Sequence, residues 1–190
     1  MGSTVHARRT GALVLALAWH LAGCDTPKPG SQPEPRPTAP AVEPSARVAR
    51  AVLGQANQAR RQLGLAALKP DRVLDDVARE FSRELARRGE VTHLSTAPYR
   101  RTLADRLRAG GAVFGASAEN LARSVEAEEL LPAQVVVLWM RTPGARQPLA
   151  TPEFAFAGTG AARAEDGAWY VVQIYAAPRG VDGVIGLPQP

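Results

Sequence analysis

Chemistry that needs a proton acceptor, a nucleophile or a soft metal ligand has few residues to draw on in this chain. Among 190 residues there is one cysteine, Cys24, and the histidines are His6, His20 and His93. A single thiol makes no intramolecular disulfide and no cysteine cluster for zinc or an iron–sulfur centre. His93 is followed by Ser95, and a Glu119-Asn120 pair lies downstream. A carboxylate that aligns an imidazole fixes its tautomer and raises its basicity, which is the arrangement of a general base. A base still needs a nucleophile, and nothing flanking Ser95 or Ser117 has the form of a nucleophile elbow. Zinc takes about three protein ligands in a catalytic site and four in a structural one, so a lone His93 with no cysteine near it in the sequence falls short. Neither a metal nor another cofactor is expected.

The other two imidazoles sit in a segment of different character. Residues 1–11 carry Arg8 and Arg9 without an acid, and Ala12 to Leu21 is apolar apart from His20, the layout of an export signal. Such a run is about half the roughly 20 residues a membrane-spanning helix needs, so removal rather than permanent spanning is expected. It ends in Leu21-Ala22-Gly23-Cys24, which resembles the lipobox of bacterial lipoproteins. That resemblance implies cleavage before Cys24 and diacylation of its thiol. Two acyl chains anchor stably where one does not, which makes Cys24 a lipid anchor and the membrane a partner. Seven prolines between Asp25 and Pro44 then form a semi-rigid spacer.

Beyond the spacer the composition suits one folded domain. The apolar share is 45 % and the charged share 22 %, both ordinary for a soluble globular protein. The formal charge is +5, and loss of residues 1–23 leaves 21 basic and 18 acidic side chains. The arginines are scattered from Arg47 to Arg179 with acids nearby, unlike the concentrated basic patch of a nucleic-acid reader, so no nucleic-acid partner is expected. The expected organisation is a signal at 1–23, anchor and linker at 24–44, a domain at 45–178 and a tail at 179–190.

Within the domain, Ser45 is placed to cap a helix that stripes Val48, Val52, Ala56, Ala59 and Leu63 along one face and stops at Gly64. Pro70 and Asp71 begin a second, with Leu74, Val77, Ala78, Phe81 and Leu85 inward and Gly89 as its stop. A third runs through Leu103, Arg106 and Leu107 to Gly110-Gly111. A fourth begins at Pro132, carries Val135, Val136, Leu138 and Trp139, and ends at Pro143. The period then changes. Phe154 to Ala162 and Trp169 to Ala176 are rich in aromatic and β-branched residues and are joined at Ala164-Glu165-Asp166-Gly167, which predicts a β-hairpin. Helices first and strands last predict an α+β fold, with helices covering an antiparallel sheet. Trp139 and Trp169 are expected in the core, and Glu126, Glu128 and Glu129 beside the start of the fourth helix.

The order of short patterns resembles the CAP superfamily, also called SCP or PR-1-like, in its bacterial form. The resemblance covers about residues 48–177. Asn57, Arg60, Gly64, Leu65 and Leu68 match its N-x-x-R and G-L-x-x-L, and Leu74, Ala78 and Ser82 its L, A and S. His93 and Ser95 match H-x-S, Arg106 and Gly110 the R and G pair, and Glu119-Asn120 the G-E-N motif. Trp139-Met140 matches W-M, Thr142-Pro143-Gly144 resembles S-P-G, and Gly158 and Gly160 match G-x-G.

The resemblance implies a three-layer α-β-α sandwich with a cleft lined by His93, Ser95, Glu119, Asn120 and Arg146. It also exposes departures. Relatives commonly pair two histidines there with acids and, in several cases, hold a divalent metal; here Ala145 stands where the second histidine would follow Gly144. Pro148 replaces the usual Asn, Ala118 the Gly before the E-N pair, and Thr142 the second acid. The expectation is a lipid-anchored envelope protein whose cleft binds a lipid, peptide or wall fragment without catalysis. The alternatives are a weak hydrolase working through His93 and Glu119, or a purely structural envelope protein.

Overall fold

The computed structural model describes residues 43–180. The export segment, Cys24, the Pro-rich segment through residue 42 and the tail from residue 181 lie outside the described residues.

Helix α1, Pro44–Gln62, has proline in its first turn and is capped by Glu43, whose carboxylate accepts from the Ala46 amide at 3.2 Å. The cap is therefore Glu43 rather than Ser45. Val48, Val52, Ala56 and Ala59 are buried as their spacing requires, whereas Leu63 follows the last helical turn and stays 37 % exposed. Asn57 bridges the turn beyond it, donating to the Leu68 carbonyl at 3.0 Å and accepting the Leu68 amide at 2.7 Å. The short strand β1, Lys69–Pro70, takes Pro70 out of the second helix. Helix α2, Arg72–Arg88, opens on an Asp71 cap and closes on Gly89 at φ +69°, a left-handed turn that glycine adopts without strain. Helix α3, Leu103–Ala109, is set by a Thr102/Asp105 capping box.

Strand β2, Ala116–Ser124, is a strand by pairing rather than by propensity, because Ala, Glu, Asn and Ser are poor strand formers. Helix α4 runs Leu131–Arg141, starting just before the expected Pro132. Pro143 ends α4 and also sits in the first turn of a further helix, α5, Pro143–Ala150. Strands β3, Phe156–Arg163, and β4, Trp169–Ala177, form the predicted hairpin.

The sheet order is β1-β3-β4-β2. Strands β2 and β3 both run antiparallel to β4, and β1 adds a two-residue parallel edge. Every residue of β4 is buried, since it is central and covered on both faces. Tyr170, Val172, Ile174 and Ala176 pack with α2 and α3; Trp169, Val171, Tyr175 and Ala177 pack with α1, α4 and α5. That alternation produces the α-β-α layering. Both tryptophans are core residues, and Trp139 donates its indole N–H to the Leu121 carbonyl at 3.0 Å.

The α2 layer sits so close that β3 needs glycine beneath it. A Cβ at Gly158 would lie 2.0 Å from the Leu74 carbonyl carbon, and one at Gly160 would lie 2.2 Å from the Ala78 oxygen. Both contacts are with backbone, which cannot rotate away. Gly160→Ala is therefore expected to destabilise the domain by about 3 kcal/mol or more, at or above the usual range for overpacking. Gly54→Ala, in open space on α1, is expected to stabilise it by about 0.5–1 kcal/mol. Urea denaturation of the two variants checks both signs.

Candidate functional site

Glu119 lies opposite Ile174 in the β2–β4 register, so its side chain faces the layer built by α2 and α3. There α3 presents Arg106. One guanidinium nitrogen, Nη2, reaches both carboxylate oxygens of Glu119, at 2.8 and 2.7 Å. The side chains are 5 % and 4 % exposed, so the pair is shielded from solvent. The guanidinium also lies over the Phe81 ring, 3.6 Å from its centroid. Its Nη1 donates to the carbonyls of His93 and Arg101, both at 3.2 Å. Arg106 thus fixes the loop between α2 and α3 as well as the carboxylate.

His93 is on that loop, with Nδ1 2.9 Å from Glu119 Oε1. A carboxylate accepts, so Nδ1 carries a proton and the neutral form of the ring is the Nδ1–H tautomer. The imidazole is 64 % exposed above a Glu119 side chain that is itself 4 % exposed. Val91, Leu94 and Tyr99 on the same loop are exposed too.

Ser95 is near in sequence but engaged elsewhere. Its hydroxyl donates to Glu84 Oε2 at 2.6 Å and accepts the Ala97 amide at 3.0 Å. The other Glu84 oxygen accepts from the Thr96 amide and hydroxyl and from Arg88, at 2.7, 3.1 and 3.3 Å. Burial would raise the Glu84 carboxyl, but the hydrogen bonds from Ser95, Thr96 and Arg88 outweigh it and hold the group below its ordinary value. Glu84 gave no sequence signal, being one acid on a mixed-charge helix.

Asn120, next to Glu119 in the strand, faces the opposite layer. It donates to the Ala145 carbonyl at 2.8 Å and to the Tyr175 hydroxyl at 3.0 Å. The Tyr175 hydroxyl donates to the Gln173 side-chain oxygen at 2.8 Å, and the Gln173 amide donates to the Thr159 hydroxyl at 3.1 Å. Burial drives the Tyr175 phenol far above its ordinary value, so it stays a donor. Ala145 packs its methyl against the core on α5, and Arg146 is exposed on the same helix. The structure thus groups His93 with Glu119, places Ser95 on Glu84, and puts Asn120 and Arg146 with the α5 layer.

The family model of CAP, the cysteine-rich secretory protein family, matches residues 53–175. The chain belongs to this family. Among solved structures, an extracellular protein containing an SCP domain from Bacillus anthracis matches with a TM-score of 0.58 at 24 % identity, over 70 % of this chain and 41 % of that one. An outer surface protein of Borrelia burgdorferi gives 0.61 at 20 % identity, over 70 % and 94 %. A cysteine-rich secretory protein of Staphylococcus aureus gives 0.56 at 18 %, over 72 % and 40 %. The chain therefore spans about two fifths of the Bacillus and Staphylococcus proteins. No curated protein matches it in sequence.

In this CAP domain, no group of three or more His, Cys, Asp or Glu side chains among the described residues is arranged to hold a metal ion. The geometry gives a physical reason at His93. Arg106 donates to both oxygens of its carboxylate partner, and Ala145 on α5 carries no ligating group.

Removing one member of a buried ion pair strands the other, which typically costs about 3–5 kcal/mol. Glu119→Gln is therefore expected to destabilise the domain by about 3 kcal/mol, and His93→Ala, at an exposed ring, by less than about 0.5 kcal/mol. Chemical denaturation distinguishes the two. Because the Glu84 value is depressed, its stabilising contribution is fully present above pH 4.5 and is lost as pH falls through its folded value. The stability gap between wild type and Glu84→Gln should accordingly narrow on acidification, read from denaturation midpoints at pH 7 and in the acid range.

Proposed function

We propose that this CAP protein is a lipid-anchored component of the cell envelope whose His93 cleft binds a ligand without turning it over. The observation that carries the reading is the hold of Arg106 Nη2 on both carboxylate oxygens of Glu119. It leaves His93 oriented but gives it neither a metal nor an activated nucleophile, since the Ser95 hydroxyl is committed to Glu84. The exposed imidazole sits on a loop that also exposes Val91, Leu94 and Tyr99, which puts a polar group and apolar side chains on one segment. That suits an amphipathic ligand such as a lipid, a peptide or a wall fragment. The extracellular and outer-surface proteins that share the fold support an envelope setting, as does the lipobox at Cys24.

A second reading, weak hydrolysis with His93 as base, is favoured by the 2.9 Å His93–Glu119 contact. Calorimetry and native mass spectrometry separate the two. The wild-type chain is expected to show no tight zinc binding, with Ala145→His gaining affinity. Material isolated from native envelopes is expected to carry a ligand that His93→Ala loses. Stoichiometric zinc binding by the wild type, or turnover abolished by His93→Ala, would refute the non-catalytic reading. Cys24→Ala is expected to abolish fatty-acid labelling and release the protein from membranes; undiminished retention would refute the anchor.

A further inference from the structure

The outer edge of β3 is flanked by two neighbouring open clefts. One, of about 420 Å³, is lined by Glu43, Arg50 and Arg79 together with Thr159 to Ala161. The other, of about 610 Å³, continues along the same strand from Ala162 and the same helix from Arg83, and includes Arg87 and Arg163. Arg79, Arg83 and Arg87 are spaced by four, so they stack along one side of α2. These three, with Arg50 and Arg163, are exposed.

Within the described residues only Arg79 of the five forms an ion pair, with Asp76 at 2.9 Å, and both partners are about half exposed. Exposed pairs of that kind contribute little. The acids alongside are mostly engaged. Glu43 caps α1, Asp75 accepts the Thr159 amide and Asp166 pairs with Arg123, leaving Glu165. Like charges spaced by four on a helix destabilise it by about 0.2–0.5 kcal/mol per pair, so the stripe is a cost that an anionic partner would offset.

The position of the stripe narrows the partner. Glu43, where the segment of residues 25–42 joins the domain, lines the first cleft. Burial alone would raise the Glu43 carboxyl, but hydrogen bonds from Ser45 and Ala46, with a smaller contribution from the nearby Arg83 charge, hold it below its ordinary value. The chain therefore enters the domain on the side that carries the arginines. Strand β2, which bears Glu119, lies across β4 from β3, so contact at the β3 edge leaves the His93 cleft uncovered.

We infer that the α2–β3 edge docks on an anionic lipid surface, with Arg50, Arg79, Arg83, Arg87 and Arg163 meeting headgroup phosphates. Guanidinium groups suit this role because they donate in a planar fork that fits phosphate oxygens. The contact is separate from the ligand of the His93 cleft and from acylation of Cys24, to which it would add a second, electrostatic attachment.

The test is co-sedimentation of the full chain carrying Cys24→Ser, which removes acylation from the comparison. Phosphatidylcholine vesicles are compared with vesicles containing roughly one third phosphatidylglycerol, at low salt and at about 0.5 M salt, where surface charges are largely screened. The chain is expected to partition at least about tenfold more strongly onto the anionic vesicles at low salt and to lose that preference at high salt. Arg79→Gln/Arg83→Gln/Arg87→Gln should abolish most of the preference. The corresponding lysine triple variant should retain it, as should Arg61→Gln/Arg108→Gln/Arg141→Gln, which removes the same charge from exposed positions elsewhere. Equal partition onto both vesicle types, a preference that survives high salt, or equal losses from the two glutamine variants would each overturn the inference.

Discussion

The site depends on one buried ion pair. Arg106 and Glu119 are almost wholly shielded from solvent, where a lone charge would be costly and each is tolerable only through the other. A buried pair of this kind adds little net stability over an apolar substitute, but it fixes positions strongly. Arg106 ties α3, the carbonyls of His93 and Arg101, and the face of Phe81 to a carboxylate on β2. Glu119 then holds the ring of His93. A metal at Glu119 would have to compete with Arg106 for the same carboxylate oxygens, so the contact that orders His93 also disfavours a ligand role for Glu119.

The opposite layer is ordered by a comparable device without an acid. Arg60 is fully buried and donates to the carbonyls of Ala66, Leu149, Thr151 and Phe154 at 2.8 to 3.1 Å. It joins α1 to the segment following α5, where backbone acceptors would otherwise lack partners. The chain of hydrogen bonds from Ala145 through Asn120, Tyr175 and Gln173 to Thr159 crosses the sheet from α5 to β3. With a single cysteine in the sequence, the domain is held by these contacts and by close backbone packing at Gly158 and Gly160 rather than by an internal disulfide.

Much of this was legible in the residues. The spacing of Val48, Val52, Ala56 and Ala59, and of Leu74, Val77, Ala78, Phe81 and Leu85, marked the buried faces of α1 and α2, because a helical period is a local property. The hairpin of β3 and β4 showed in its aromatic and β-branched residues. Strand β2 did not, because its Ala-rich sequence is extended only through pairing with β4, a long-range effect. Helix α5 was hidden because Pro143 both stops one helix and opens the next. The His93–Glu119 pairing could be anticipated from the motifs that carry the CAP resemblance. The role of Arg106 was not drawn from them, although a charged residue beside inward-facing Leu107 on a short helix was the available signal.

The protonation pattern of the His93 ring tests the account most directly, because it reports what Glu119 is doing. Nitrogen-15 NMR of the neutral imidazole should show the Nδ1–H tautomer, unchanged on addition of zinc. A neutral ring protonated at Nε2 alone, or nitrogen shifts that move stoichiometrically with zinc, would contradict a carboxylate held by Arg106 and bound to His93 through Nδ1.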